Sequence, residues 1–282
     1  MRIRIGAQVS SAGGVSRGVE RAVAMGADVV QVFVDPNRRF PRAPLPADEL
    51  DRLRDALRDS GLPGYVHAPY LANVATADAL LRDRSIDMIG RALRAAAHAG
   101  LRGVVVHPGS HLGRGFGAVR DQLLRALGEG ARPGGGEAFL LLENQAGAGG
   151  QVGATVGELR ALLDGLDGAG ARAGICLDTQ HAHAAGWDLS KRTGVDRFAR
   201  EWRSAGLLDR VELVHANDSG SASGSHRDLH ANPGEGSIGA HGFRALAKLP
   251  ELSGVPWVLE VPGVDRSGPR REEIDRLRKI LR

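Results

Sequence analysis

This sequence predicts an α/β fold: a single-domain (β/α)8 (TIM) barrel over residues 1–282. Three observations lead there. Short apolar runs alternate with longer amphipathic stretches along the whole chain. The runs, at 2–9, 29–34, 64–68, 103–109, 139–145, 173–179, 211–218 and 256–263, are rich in Val, Leu and Ile and apolar on both faces, as buried parallel strands must be. The length suits one such barrel, and no linker, low-complexity segment or internal repeat interrupts it.

Taken in order, "RIRIGAQV" opens the sheet and "GVSRGVERAVAMG" (14–26) has the helical spacing of apolar residues that should pack on it. "VVQVFV" is followed by "ADELDRLRDALRDSG" (47–61), and "GYVHA" by "SIDMIGRALRAAAHAG" (85–100). Each of these helices closes on a Gly at the C-cap position, where a left-handed backbone ends the helix. The later runs repeat the pattern, and "REEIDRLRKIL" (271–281) supplies the eighth helix. The Gly-rich "ARPGGGEA" (131–138) reads as a loop on the face away from any site.

Composition narrows the function. A lone Cys176 excludes an intramolecular disulfide and a thiolate-only metal site. The net charge of +4 and pI near 9.8 come almost wholly from Arg, which suits bidentate contact with phosphate. Two Tyr and three Trp are too few for an aromatic platform for nucleic acid. The apolar runs are far too short for a membrane span, and no apolar core follows the arginines of "MRIRIGAQVS"; a cytoplasmic protein without membrane contact is expected.

The strand ends carry the chemistry. Strands three to eight finish on His67, His107, Glu143, Asp178, His215 and Glu260. All C-terminal strand ends of such a barrel meet at one rim, where active sites are built. Polar groups inside apolar runs are costly when buried without partners. Carboxylates and imidazoles in succession at one rim therefore point to bound cations. His181 in "LDTQHAHAAG", and Asp228 and His230 in "GSHRDLHANPGEGSIG", bring the set to nine N/O ligands, enough for two or three ions. Imidazole with carboxylate and no thiolate favours Zn2+ or Mn2+ over Ca2+ or Mg2+. His98 and His241 belong to helix ends and His183 to packing, while His111 and His226 lie on the rim.

The segments "GAQVSSAGG", "VHAPYLANVA", "VVVHPGSHLGRG", "LLLENQAGAGG", "CLDTQHAHAAGWDL", "LVHANDS", "HANPGEGSIG" and "VLEVPG" together resemble the endonuclease IV family of apurinic/apyrimidinic endonucleases. The resemblance runs from residue 5 to about residue 263, in matching order and spacing. It implies a trinuclear zinc cluster that cleaves duplex DNA 5′ to abasic sites, leaving a 3′-hydroxyl, in an enzyme with no need to be more than a monomer. His67, His107 and Glu143 would hold one ion, with Glu143 bridging to a second held by Asp178, His215 and Glu260; His181, Asp228 and His230 would hold the third. A hydroxide acidified by two ions would attack phosphorus, with Glu143 and Glu260 orienting it. Tyr70, Leu71 and Asn73 in "YLAN", and Arg38 and Arg39 in "PNRRF", match the family's DNA-contacting segments.

The chain departs from that family at Gln8, where the family usually has His; at "VDPNRRF", which places Asp35 toward DNA phosphate; and at Leu229, where an Arg is usual. Two alternatives stay open: a xylose-isomerase-like sugar isomerase or epimerase barrel, which needs fewer ions, and a lesion-binding homologue weak in catalysis.

Overall fold

The computed structural model describes residues 2–37, 39–41, 43–131 and 138–282. The expected runs fold as β1 (Ile5–Gln8), β2 (Val30–Val32), β3 (Gly64–His67), β4 (Gly103–Val106), β5 (Phe139–Glu143), β6 (Ala173–Asp178), β7 (Val211–His215) and β10 (Trp257–Leu259). They close into a barrel in the order β1-β10-β7-β6-β5-β4-β3-β2, every described pair parallel. Between β7 and β10, β8 (Asp218–Ser219) and β9 (His230–Ala231) pair as a short antiparallel ribbon.

The helices α1 (Ser16–Ala24), α2 (Ala47–Ser60), α3 (Ala79–Ala99), α4 (Phe116–Gly130) and α5 (Val156–Gly168) follow the first five strands. The pair α6 (Thr179–Ala185) and α7 (Arg192–Ser204) follows β6, and α8 (Gly239–Leu246) and α9 (Arg271–Ile280) complete the ring. Helix α3 starts six residues before the apolar periodicity indicates, because Asp78 accepts the Leu81 N–H at 3.0 Å and caps it there. It stops at Gly100, in the left-handed region at φ 70° as expected. Of the Gly-rich stretch 131–138, residues 132–137 lie outside the described residues. Among the described residues no helix is long and apolar enough to cross a membrane.

Two apolar layers position the site. The larger fills the space between strands and helices. The smaller lies inside the barrel and consists of Val29, Tyr65, Val105, Leu141, Cys176, Leu213 and Val258, with Phe139 packed against it. Side chains on one face of a strand recur every second residue. Two positions past each member of this inner plug stand Gln31, His67, His107, Glu143, Asp178, His215 and Glu260. The pleat thus stacks a ring of polar groups on an apolar floor that seals the barrel below.

Gly6 on β1 has no room for a side chain: a Cβ there would sit 1.7 Å from the Val29 carbonyl oxygen. Because the obstacle is backbone of the neighbouring strand, Gly6→Ala should destabilise by about 3 kcal/mol or more, read as a drop in the denaturant midpoint. Unchanged stability would show that β1 and β2 can separate at no cost.

Candidate metal centre

Glu143 is the hub of the rim. Its Oε2 lies 3.2 Å from His67 Nε2 and 3.0 Å from His107 Nε2. Its Oε1 lies 3.1 Å from His215 Nδ1 and 3.3 Å from His181 Nδ1. His215 Nδ1 is also 3.2 Å from Glu260 Oε2. The side chains of His67, Glu143, Asp178 and His215 are fully buried. Burial alone would push the Glu143 carboxyl up, but the surrounding imidazoles, led by His107 and His215, hold it well below the usual range.

Two groups of ligand atoms lie within 4.8 Å of one another: His67, Glu143, His215 and Glu260, and separately Asp178, His181 and His230. This differs from the partition that the resemblance implies, in which Asp178 shares an ion with His215 and Glu260. Asp178 Oδ2 is 3.8 Å from His230 Nε2 and 3.9 Å from His215 Nδ1, so it faces both groups. His107 joins the first group through Glu143, and Asp228 the second, 3.4 Å from His181 Nε2 and 3.2 Å from His230 Nε2. All nine candidate ligands therefore meet at the mouth.

The partners behind the imidazoles fix their tautomers. His67 Nδ1 donates to the Ala68 carbonyl at 2.6 Å, His181 Nδ1 to the Asn144 carbonyl at 2.9 Å, and His230 Nδ1 to the Glu260 carbonyl at 3.0 Å. His215 is turned the other way: the Gln31 amide donates to Glu260 Oε1 at 2.7 Å, leaving its oxygen to accept from His215 Nε2 at 3.1 Å. In His67, His215 and His230 the N–H is committed outward and the other nitrogen faces the centre, whereas His181 Nδ1 lies between the Asn144 carbonyl and Glu143 and its Nε2 faces Asp228. His181 Nε2 and His230 Nε2 are buried without a hydrogen-bond partner, aimed at Asp228. A lone pair facing a carboxylate is repulsive unless a proton or a metal ion stands between them. The donor set thus fits divalent cations with an imidazole–carboxylate preference.

Without metal, protons take that place. Burial works against charge on His181, His215 and His230, yet nearby carboxylates raise all three, His230 to about 9. Asp228 is held well below its usual range, against burial, by the His181 and His230 imidazoles beside it.

The loop bearing Asp228 and His230 is organised by Asp218, a fully buried residue. Its carboxylate accepts from the backbone N–H of Ser219 at 2.8 Å, Gly234 at 2.8 Å and Ile238 at 3.0 Å. Gly236 must be glycine, since a Cβ would lie 2.5 Å from both Asp218 Oδ1 and the Ser219 carbonyl oxygen. Asn217 donates to Asp178 Oδ2 at 2.7 Å and accepts from the Glu260 N–H at 2.8 Å, tying the ends of β6 and β10 together. His183, expected to pack, is buried with Nε2 at 3.2 Å from Ser237 Oγ, and His226 Nδ1 donates to the Ala146 carbonyl at 2.8 Å. His111 accepts from the N–H groups of Gly113 and Gly115. His98 pairs with Asp51, and His241 is exposed.

A cleft of about 640 Å3 opens beside Glu260 and is lined by Gln8, Phe33 and Tyr70. Tyr70 is half exposed, its ring 5.0 Å from His67 and 5.4 Å from His107. Leu71 is half-buried, Arg39 is exposed, and Arg38 lies outside the described residues. The Asn73 amide is spent inside the protein, accepting from the Ala75 and Ser110 N–H groups at 3.0 Å and donating to the Ser110 carbonyl. It ties two rim loops together. Asp35 also departs from expectation: it is buried and paired with Arg91 Nη2 at 3.1 Å, so it does not face phosphate. The sequence reading missed Gln31, Asn144, Asn217 and Asp218. Gln31 had a signal, being the one polar residue within "VVQVFV".

Fold and site together define an enzyme of the TIM-barrel class whose rim gathers candidate metal ligands. Residues 19–280 match the family described as xylose isomerase-like TIM barrel. The chain is 36% identical to a probable endonuclease 4 of Methanoculleus marisnigri over 99% of this chain and 98% of that protein. The crystal structure of endonuclease IV from Thermus thermophilus is 34% identical, with a TM-score of 0.83 over 99% of this chain and 98% of that one. A D-tagatose 3-epimerase-like protein, 20% identical with a TM-score of 0.70 over 99% and 96% of the chains, shares the fold. The chain belongs to the endonuclease IV family and is an enzyme of the hydrolase class.

Gln31→Leu should keep the fold but free the His215 ring, lowering zinc affinity roughly tenfold to hundredfold in a competition titration with a chelating dye. Unchanged affinity would remove Gln31 from the centre. The proton–metal exchange gives a second expectation. The raised His230 stabilises the metal-free fold fully below about pH 6.5, and this is lost as pH rises through about 9. The lowered Asp228 contributes above its ordinary value of 3.8 and is lost only in stronger acid. The gain in Tm on adding zinc to chelator-treated protein should therefore grow between about pH 6 and pH 9. A gain independent of pH would contradict the exchange.

Proposed function

We propose that this protein is a DNA repair endonuclease that hydrolyses the phosphodiester 5′ to abasic sites in duplex DNA and leaves a 3′-hydroxyl. Three divalent cations, zinc with manganese possible at one or more sites, would be held by His67, His107, Glu143, Asp178, His181, His215, Asp228, His230 and Glu260. The single observation that carries this reading is the outer trio: His181 Nε2 and His230 Nε2, buried and unpartnered, face Asp228 on a loop folded back over the mouth. An isomerase of one or two ions has no use for that trio.

When bound, such ions supply Lewis acidity, easing deprotonation of water and neutralising charge on the phosphate. The chain's own groups do the rest. Glu143 and Glu260, at the edge of the cleft, would orient the attacking water, and Gln31 keeps one Glu260 oxygen occupied so that the other stays turned toward His215. Arg39 would meet the backbone and Tyr70 and Leu71 the exposed faces of the duplex beside the lesion, with Arg38 alongside by sequence position.

Purified protein should contain roughly three zinc or manganese equivalents and nick a duplex bearing one abasic analogue on its 5′ side. Chelation should abolish the nick, and His181→Ala or Glu260→Ala should slow it by about two orders of magnitude or more. Binding without a nick in loaded protein, or turnover of a ketose instead, would sink the proposal.

A further inference from the structure

The opposite end of the barrel carries a feature that the proposed reaction does not use. A cleft of about 880 Å3 opens there between the residues leading into β1, β3 and β4. Its floor is apolar, with Leu57 and Ala99 buried and Ile3 and Leu62 half-buried. Its walls carry Arg2, Arg4, Arg54, Arg58 and Arg102 against a single acid, Asp28. Arg54 and Arg58 are engaged by Asp51, Asp55 and Asp59 of α2, and Arg2 reaches Asp28 only at 3.5 Å. Arg4 and Arg102 are exposed and, among the described residues, have no carboxylate within 4.0 Å.

Two further clefts continue this one. The first, about 530 Å3, shares Arg2 and Ile3 and adds the exposed Arg244, Lys248 and Arg282. The second, about 470 Å3, shares Arg102 and adds one acid, Glu212, and Arg172, whose guanidinium lies 4.1 Å from the Phe139 ring centre. Those four added cations likewise have no carboxylate within 4.0 Å among the described residues. Across the three clefts the acids Asp28 and Glu212 face a larger number of cations, and those left without a carboxylate within 4.0 Å, fanned around an apolar floor, suit a partner with both chemistries.

The geometry points to a docking surface for an acidic peptide segment that carries an apolar side chain. Carboxylates would take the free guanidiniums in bidentate pairs, and the apolar side chain would cover Ile3 and Leu62. Nucleic acid fits less well: phosphates line the outside of a duplex and offer nothing to fill an apolar floor. The duplex-facing rim is also at the other end of the strands. This surface does not depend on the proposed reaction.

The test is fluorescence anisotropy on the full chain with a labelled Glu-Glu-Leu-Glu-Glu-Leu peptide, its Gln-Gln-Leu-Gln-Gln-Leu counterpart, and a labelled undamaged duplex. The acidic peptide should bind, and the Gln peptide should bind at least roughly tenfold more weakly. The double variant Arg4→Glu/Arg102→Glu should lose roughly tenfold or more for the acidic peptide. The same variant should keep its melting temperature and its affinity for the duplex. No peptide binding, equal binding of the two peptides, or an unaffected double variant would overturn the assignment. A parallel loss of duplex binding would overturn it in favour of a general polyanion surface.

Discussion

The rest of this structure depends on a carboxylate that water cannot reach. Glu143 sits at zero exposure with four imidazoles around its two oxygens. A buried carboxylate is tolerated only when its charge is met. Neutral imidazoles offer it little: His67 and His215 spend their N–H groups on the Ala68 carbonyl and Gln31, His181 shares its Nδ1–H with the Asn144 carbonyl, and a hydrogen bond from neutral His107 leaves the charge itself unmet. The centre must therefore take up positive charge, as protons in metal-free protein or as metal ions in the loaded state. The outer partners decide which nitrogen each ring turns to the centre, and Gln31 does so for His215 while holding Glu260.

The pleat explains how such a centre is built from distant parts of the chain. Seven of the eight barrel strands, all but β1, contribute an inward apolar residue at or just before the strand and, two positions on, an inward polar one. The apolar layer, with Tyr65, Leu141 and Leu213 among its bulkier members, closes the barrel and confines water and substrate to one mouth. Burial by that plug also gives the polar layer its chemistry, since low polarity strengthens every charge interaction above it. Cys176 belongs to the plug, and burial pushes its thiol up to about 12, consistent with an inert packing residue.

Much of this was legible in the sequence because it is local. Strand identity follows from apolar runs, and the ligands stand where those runs stop. The observed strands are shorter than the runs, so His107 and Glu260 fall one residue past β4 and β10, yet strand parity still carries them inward. What was hidden is long-range. Asp35 looks like a surface acid until Arg91, 56 residues on, is seen to claim it. Asn73 looks like a free loop amide until Ser110 closes on it from another strand end. Spacing along one chain holds no record of such pairs.

The Gly- and Pro-rich segment from Gly224 to Gly239 shows how a loop with only the two-residue strand β9 in it can hold candidate ligands in place. Its order comes from outside: the buried Asp218 carboxylate gathers its backbone N–H groups, and the Gly236 backbone passes against that carboxylate where no side chain fits. The two ligands it carries are two residues apart and turned to one side, which forces the residue between them to the other. Leu229 is accordingly 52% exposed, its backbone carbonyl bonded to the Gly220 N–H. Leu229, one of the positions at which the chain departs from the family pattern, thus presents its side chain to the outside of the mouth, apart from the nine candidate ligands.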